Sequence, residues 1–295
     1  MDGIISVNKE KGYTSNDVIA ILRGILRMKK IGHTGTLDPD ATGVLPVCLG
    51  KATKVAELLT AAEKVYEAQL VFGVETDTQD MTGKVTRQTE YSFSEDVFYR
   101  AVQELTGEIW QVPPMYSALK VGGVRLYDLA REGIEVDRQA RKITIHEIQV
   151  LDLHEKGARI RVRCSKGTYI RTLCEDLGRH TGWLASMSEL TRWSSGPFTL
   201  EDSLTLAEIR ALKDAGTLEE KILSVDRMFA AYPALYVTDE EQDKRLANGN
   251  SLHFGSQLPV DTVVKIYTMS GRFAALYKVV HQEAGEVECK SYKMF

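Results

Sequence analysis

The sequence predicts an α+β protein that ends in a small β-rich module, and three patterns carry that prediction. Residues 64–73 (KVYEAQLVFG) alternate. Tyr66, Ala68, Leu70 and Phe72 take one side while Glu67 and Gln69 take the other, the period of a half-buried strand. Residues 168–182 (TYIRTLCEDLGRHTG) repeat at helical spacing, with Ile170, Leu173, Cys174 and Leu177 apolar and Gly178 and Gly182 near the end. After Ala230-Ala231-Tyr232-Pro233 come a charged, helix-like DEEQDKRLANG and three short β-rich runs, VVKIYTM, FAALYKVV and EVECKSY. The expected division is a domain over 1–231 and a β-barrel-like module over 232–295.

The remaining elements follow in chain order. Residues 4–7 (IISV) read as a strand, followed by a turn through Gly12. Ser15 is expected to cap a helix with Val18, Ile19, Leu22 and Leu26 on one face and Arg23 and Arg27 on another. Residues 32–46 (GHTGTLDPDATGVLP) form a loop, with Asp38 pushed to extended geometry by Pro39. VLPVCLG reads as a strand whose Pro46 suggests an edge or strand-start position. ATKVAELLTAAEK reads as a helix. In ARIRVRCSKGTYIR, Ile160, Val162 and Cys164 oppose Arg159, Arg161 and Arg163. Residues 113–142 form a long excursion, expected to order on a ligand.

Totals narrow the function classes. A chain of 295 residues that is 43% hydrophobic can bury a large core and a smaller one. No apolar run approaches the roughly 20 residues that span a bilayer, and MDGIISVNKEKGYTS lacks the pattern of a signal peptide. A reducing, cytoplasmic setting is expected. Cys48, Cys164, Cys174 and Cys289 are scattered without a CxxC pair, which argues against zinc and a disulfide framework. The net charge of -4 argues weakly against nucleic acid. Local clusters argue the other way: Arg23, Arg27, Lys29 and Lys30 precede the loop, Lys51 and Lys54 follow it, and Arg159, Arg161 and Arg163 form a second basic row. These rows are read either as solvated faces or as a phosphate track. Acidic residues gather in ETDTQD and TDEEQD. GVLPVCLGKAT has the wrong spacing for a Walker loop, and no GxGxxG is present.

Asp38 is the strongest candidate for chemistry. A carboxylate in a rigid turn beside glycines suits nucleophilic work, and an Asx-turn is the plain alternative. Tyr66 lies on the apolar face of its strand, so its hydroxyl needs a partner or a ligand. An inward Arg171 near a carboxylate would keep that carboxylate ionised against desolvation. His33 has no second histidine at ligand spacing, so metal binding is rejected.

GHTGTLDPDATGVLPVCLGKATK closely resembles the central motif of the TruB family of tRNA pseudouridine synthases. NKEKGYTS, KVYEAQLVFG, PPMYSALKVGGVRLYDLAREG, CSKGTYIRTLCEDLG and, more loosely, SELTRWSSGPF resemble further motifs in the order of that family. There are two departures: Glu10 follows Lys9 where the family usually has proline, and Thr191 and Arg192 follow Leu190 where it has Leu-Arg-Arg. The resemblance implies a pseudouridine synthase fold, with a large mixed, mainly antiparallel sheet flanked by helices and a C-terminal module similar to PUA RNA-binding domains. It implies isomerisation of the T-arm uridine of tRNA, position 55, by base flipping. Asp38 would be the nucleophile, Tyr66 would pack on the flipped base, and Arg171 would pair with the aspartate. His33, Tyr169 and Leu190 would line the uridine pocket. Residues 113–142 match the thumb region of the family. RNA-backbone candidates are Arg23, Arg27, Lys30, Lys54, Lys120, Arg125 and Arg131. No metal, organic cofactor, membrane or obligatory protein partner is implied, and a monomer is expected. The alternative is a tRNA-folding chaperone acting without chemistry.

Overall fold

The structure, a computed structural model, describes residues 1–295. The first elements are β1 (Gly3–Lys9), α1 (Ser15–Leu26), β2 (Ile31–His33), β3 (Thr42–Leu49), α2 (Ala56–Thr60) and β4 (Lys64–Phe72). A hairpin of β5 (Val74–Thr76) and β6 (Val85–Gln88) follows, then α3 (Glu95–Glu104) and β7 (Gly107–Gln111). The 113–142 excursion holds β8 (Lys120–Val121), β9 (Val124–Arg125) and α4 (Leu126–Arg131). Next come β10 (Arg141–His154), β11 (Gly157–Cys164), α5 (Ile170–Thr181), β12 (Ala185–Ser195), β13 (Phe198–Thr199) and α6 (Leu206–Asp214). The last are β14 (Ala234–Tyr236), α7 (Glu240–Ala247), β15 (Leu252–Gly255), β16 (Val263–Tyr267), β17 (Phe273–Glu283) and β18 (Glu286–Met294).

Two compact units result. One comprises Ser6–Val47 and Ala56–Ala215; the other comprises Met1–Ile5, Cys48–Val55 and Gly216–Phe295. The large sheet runs β1-β3-β12-β4-β11-β10-β7, with β2 on β3 and β13 on β12. β12 pairs β3 in parallel and β4 antiparallel, so the sheet is mixed. The second sheet, β14-β16-β17-β18-β15, has five strands. Its core is Val264, Ile266, Ala275, Tyr277, Val279 and Val287, and Asp239 caps α7 by accepting from the Gln242 N–H at 2.8 Å.

The alternation expected for β4 and β11 is what places the core. Ala68, Leu70 and Phe72 pack with Ile160 and Val162 beneath Leu173, Cys174 and Leu177 of α5. Phe72 sits among Tyr91, Phe98 and Trp183 at ring distances of 5.3–6.2 Å. Gly178 is where α5 touches β12: a Cβ there would lie 2.2 Å from the Ala185 nitrogen. Gly182 ends α5 in the left-handed conformation, φ 76°.

Three local expectations need correction. Thr14, not Ser15, caps α1, because it forms a reciprocal capping box with Asp17; Ser15 is buried as the first helical residue. Pro46 lies inside β3, which has neighbours on both sides in the sheet. The β12 ladder on β3 is confined to Thr42 and Gly43, so the missing N–H of Pro46 breaks no bond there. ATKVAELLTAAEK is not one helix. Gly50, at φ 57°, starts a 3-10 segment over Gly50–Val55, and α2 adds only five residues.

Candidate active site

The turn that carries Asp38 is held from the N-terminal segment. The Ser15 hydroxyl accepts the Leu37 N–H at 2.9 Å. Lys9, fully buried, donates from Nζ to the carbonyls of Tyr13 at 2.6 Å and Pro39 at 2.9 Å. The Gly12 N–H donates to the same Pro39 oxygen at 2.9 Å. Glu10, in the position where proline was expected, leaves this turn intact, and its carbonyl accepts from Lys9 at 3.1 Å. Burial lowers the Lys9 ammonium to about 8, with Asp38 and Asp40 opposing the shift.

With its backbone fixed on both sides, Asp38 turns its carboxylate to α5. Arg171 meets it side-on, Nε to Oδ2 at 3.0 Å and Nη2 to Oδ1 at 3.3 Å. The partner of the carboxylate is thus a guanidinium and not a neighbouring N–H, as an Asx-turn would have it. The Arg171 side chain is 6% exposed and that of Asp38 41%, so the arginine is the buried support and the carboxylate the accessible group. Arg171 also donates to the Thr78 carbonyl at 2.9 Å and the Tyr116 carbonyl at 2.7 Å, and lies 3.5 Å from Asp80 Oδ2. It is immobilised by four partners from three segments, which suits the planar guanidinium fork. Burial pushes the Asp38 carboxyl above the ordinary aspartate range; Arg171 opposes this and Asp80 adds to it.

Asp38 and Arg171 stand on the wall of a cavity of about 620 Å³, within the range of ligand sites. Tyr66, Tyr169 and Leu190 line it as well. The inward face of β4 delivers Tyr66, and burial holds its phenol above the usual value. Tyr169 precedes α5, where Gln111 fixes its backbone through bonds of 2.8 and 3.1 Å. His33 is not part of the lining; it is half-buried at the end of β2, and its Nδ1 accepts the Gly35 N–H at 3.3 Å.

The expected RNA-backbone residues are scattered. Arg23 is committed to the carbonyls of Lys29 and Ile31. Arg27 ends α1 at φ 51°, and both Arg27 and Lys30 are exposed. Lys54 belongs to the other compact unit. Lys120 is exposed, and Arg125 and Arg131 both lie over the Tyr127 ring, at 5.7 and 5.5 Å. The second basic row is spent on glutamates: Arg159 and Arg161 on Glu67, and Arg163 on Glu63 and Glu147.

Several site residues escaped the sequence reading. Arg141, Lys142 and Lys166 are exposed cations on the cavity lining; Lys166 was within reach, since it belongs to the CSKGTYIR stretch. Asp80 sits in the acidic run ETDTQD, to which the sequence assigns no site role, and Glu75 of that run is buried and paired with Arg87 and Arg179. Ser117 is buried at the lining, and its hydroxyl finds no partner in the protein. Arg192 also lines the cavity, 1% exposed.

The chain has relatives that match this architecture. Residues 23–170 match the TruB family pseudouridylate synthase (N terminal domain), and residues 171–230 match the tRNA pseudouridylate synthase B C-terminal domain. The tRNA pseudouridine synthase B of Clostridium acetobutylicum is 42% identical over 94% of this chain and 95% of its own. That of Bacillus cytotoxicus is 42% identical over 94% and 92%. Among solved structures, a Cbf5-Nop10-Gar1 complex matches with TM-score 0.74 and 28% identity, over 99% of this chain and 84% of that one. An H/ACA RNP bound to a substrate RNA containing 2'-deoxyuridine matches with TM-score 0.73 and 26% identity, over 99% and 84%. With two adjoining family domains and close relatives over nearly its whole length, the chain belongs to the TruB family of tRNA pseudouridine synthases.

Proposed function

We propose that this chain isomerises the T-arm uridine of tRNA, position 55, to pseudouridine, with Asp38 as the nucleophile. The observation that carries the reading is the carboxylate of Asp38, open to a nucleotide-sized cavity and gripped from behind by a buried Arg171. A uridine in a folded RNA loop must leave its stack to enter, which costs a few kcal/mol. The Tyr66 ring returns about 1–3 kcal/mol of this by stacking. Asp38 forms a covalent bond to the uridine and the N1–C1′ bond breaks. The base turns, a C5–C1′ bond forms, the C5 proton leaves, N1 takes up a proton in its place, and the carboxylate is released, so the product is an isomer. The Arg171 guanidinium keeps Asp38 ionised against burial and aims both oxygens.

Arg141 and Lys166 at the cavity are placed to meet phosphates next to the flipped nucleotide, where such contacts set register while the pocket reads the base. Residues 113–142 would close over the RNA as a thumb, and residues 232–295 would act as a PUA-like RNA-binding module. The protein works in the cytoplasm, as a monomer and without a cofactor. The test is incubation of unmodified tRNA with the purified chain, followed by carbodiimide mapping or mass spectrometry. Pseudouridine at the T-arm position with the native chain, and none with Asp38→Asn, is the expected result. Full activity in Asp38→Asn would sink the mechanism; product at another uridine would sink the site assignment.

A further inference from the structure

Arg192 is the largest side chain buried to below 2% exposure, and it lies in the cavity wall rather than in the apolar core. Its bonds are to backbone carbonyls and not to a carboxylate. Nε donates to the Val44 carbonyl at 2.6 Å and Nη2 to the Gly35 carbonyl at 3.2 Å. Gly35 and Val44 bracket the loop whose middle carries Asp38. One rigid side chain thus spans both ends of the nucleophile loop. A planar fork can hold two carbonyls at fixed separation; an ammonium on a flexible stem cannot do so as well.

The surroundings reinforce this geometry. The backbone of Arg192 pairs with Gly43, and a Cβ on Gly43, at φ 101°, would lie 2.3 Å from the Arg192 carbonyl oxygen. Beside it the Thr42 and Thr191 hydroxyls bond at 2.9 Å. Across the sheet, Arg192 is the register partner of Tyr66, and both face the cavity. Burying a cation without a carboxylate is costly, and a core filled by leucine would avoid that cost. Here the charge stands between the loop of the nucleophile and the tyrosine that packs on the base. It also opposes the rise that burial imposes on the Tyr66 phenol.

We propose that Arg192 is a positioning residue of the isomerase: it staples the two ends of the Asp38 loop, so that the carboxylate and the Tyr66 ring keep one fixed relation to the flipped uridine. This rests on the function proposed above. A misplacement of about 1 Å at a reacting centre costs on the order of 100-fold in rate, whereas the phosphate contacts that dominate RNA affinity lie elsewhere.

The experiment compares native chain, Arg192→Lys and Arg192→Met in single-turnover pseudouridine formation on unmodified tRNA, with tRNA affinity measured by filter binding and folding by a thermal melt. Arg192→Met is expected to lose about 100-fold in rate with affinity within threefold of native, and Arg192→Lys to recover about tenfold of that loss. A folded Arg192→Lys or Arg192→Met that turns over within threefold of native overturns the proposal. So does a loss of affinity in step with the loss of rate. If Arg192→Met does not fold, Arg192→Lys decides alone: a tenfold rate loss at native affinity supports the staple. A native chain that forms no pseudouridine at all refutes the proposed function instead, an outcome distinct from a native chain that is active alongside equally active variants.

Discussion

The two faces of the central strands use the same residue type for opposite ends. On the outward face of β11, Arg159, Arg161 and Arg163 stand in a row, half-exposed, each within 4 Å of a glutamate. Arg161 also lies 4.9 Å over the Trp193 ring. On the inward side, Arg171 and Arg192 are nearly inaccessible and come singly, each surrounded by carbonyls that fix its orientation. The outward row is a lattice of mutually screened charges, in which any one pair contributes little. The inward arginines are held so tightly that their charge becomes part of the geometry of the cavity. Arginine density along a strand is therefore a poor guide to function here, and burial against backbone carbonyls a better one.

The sharpest way to break this contrast is to exchange the two faces. Arg171→Met leaves the Asp38 carboxylate beside Asp80 without the guanidinium that holds both its oxygens. Loss of an aimed charge at a reacting centre costs about 100-fold or more in rate, and the buried half of the pair loses its packing and its carbonyl partners. A drop of at least 100-fold in pseudouridine formation is expected, with a lower melting temperature. Arg159→Met, on the other face, is expected to stay within twofold of native in the same assay. Comparable losses in both variants would show that the sheet faces do not differ as argued.

The sequence made much of this legible, and the failures have physical causes. Period-two alternation in β4 and β11 told which side Tyr66 would take, because a strand has only two faces. The helical period of α5 placed its apolar residues correctly. What the period does not carry is reach. Arg171 meets Asp38 across 133 residues of chain, and the two came together in the sequence reading only through the family motifs. Arg192 was hidden because an arginine next to Thr191 and Trp193 reads as surface, and only its burial and its bonds to the Val44 and Gly35 carbonyls show that it points inward. Capping competition moved the start of α1 from Ser15 to Thr14, since Asp17 completes a capping box with Thr14 alone. Ser15 was thereby freed to hold Leu37.

A smaller effect sharpens the role of the inward tyrosine. Tyr66→Phe keeps the ring, so tRNA affinity should stay within twofold of native. Tyr66→Ala removes the stacking surface, worth about 1–3 kcal/mol, and should weaken binding about tenfold. Equal binding by the two variants would mean that the ring does not receive a base.

The inward charges should also set the pH response. In the proposed mechanism Asp38 attacks as the carboxylate, and burial together with Asp80 raises its carboxyl above the ordinary 3.8, with Arg171 opposing. The rate should therefore fall as pH drops, with an inflection above that value. Asp80→Asn removes one of the raising charges, so its inflection is expected at lower pH than native. Movement to higher pH would show that Asp80 acts on Asp38 otherwise than by its charge.

The smallest expected effect lies at the mouth of the cavity, where the two kinds of cation can be compared by salt. A cation that meets a phosphate releases counterions, so its removal lowers the slope of log affinity against log salt by about one. Lys166 is exposed on the cavity lining, and Lys166→Gln should lower the slope by about that amount. Arg163 is already neutralised by Glu63 and Glu147; Arg163→Gln should leave the slope unchanged, since no phosphate displaces those partners. If both variants flatten the slope equally, RNA reaches the outward face and the glutamate lattice opens to receive it. If neither does, the phosphate track runs along other cations, and the exposed Lys120 in the 113–142 excursion becomes the next residue to titrate.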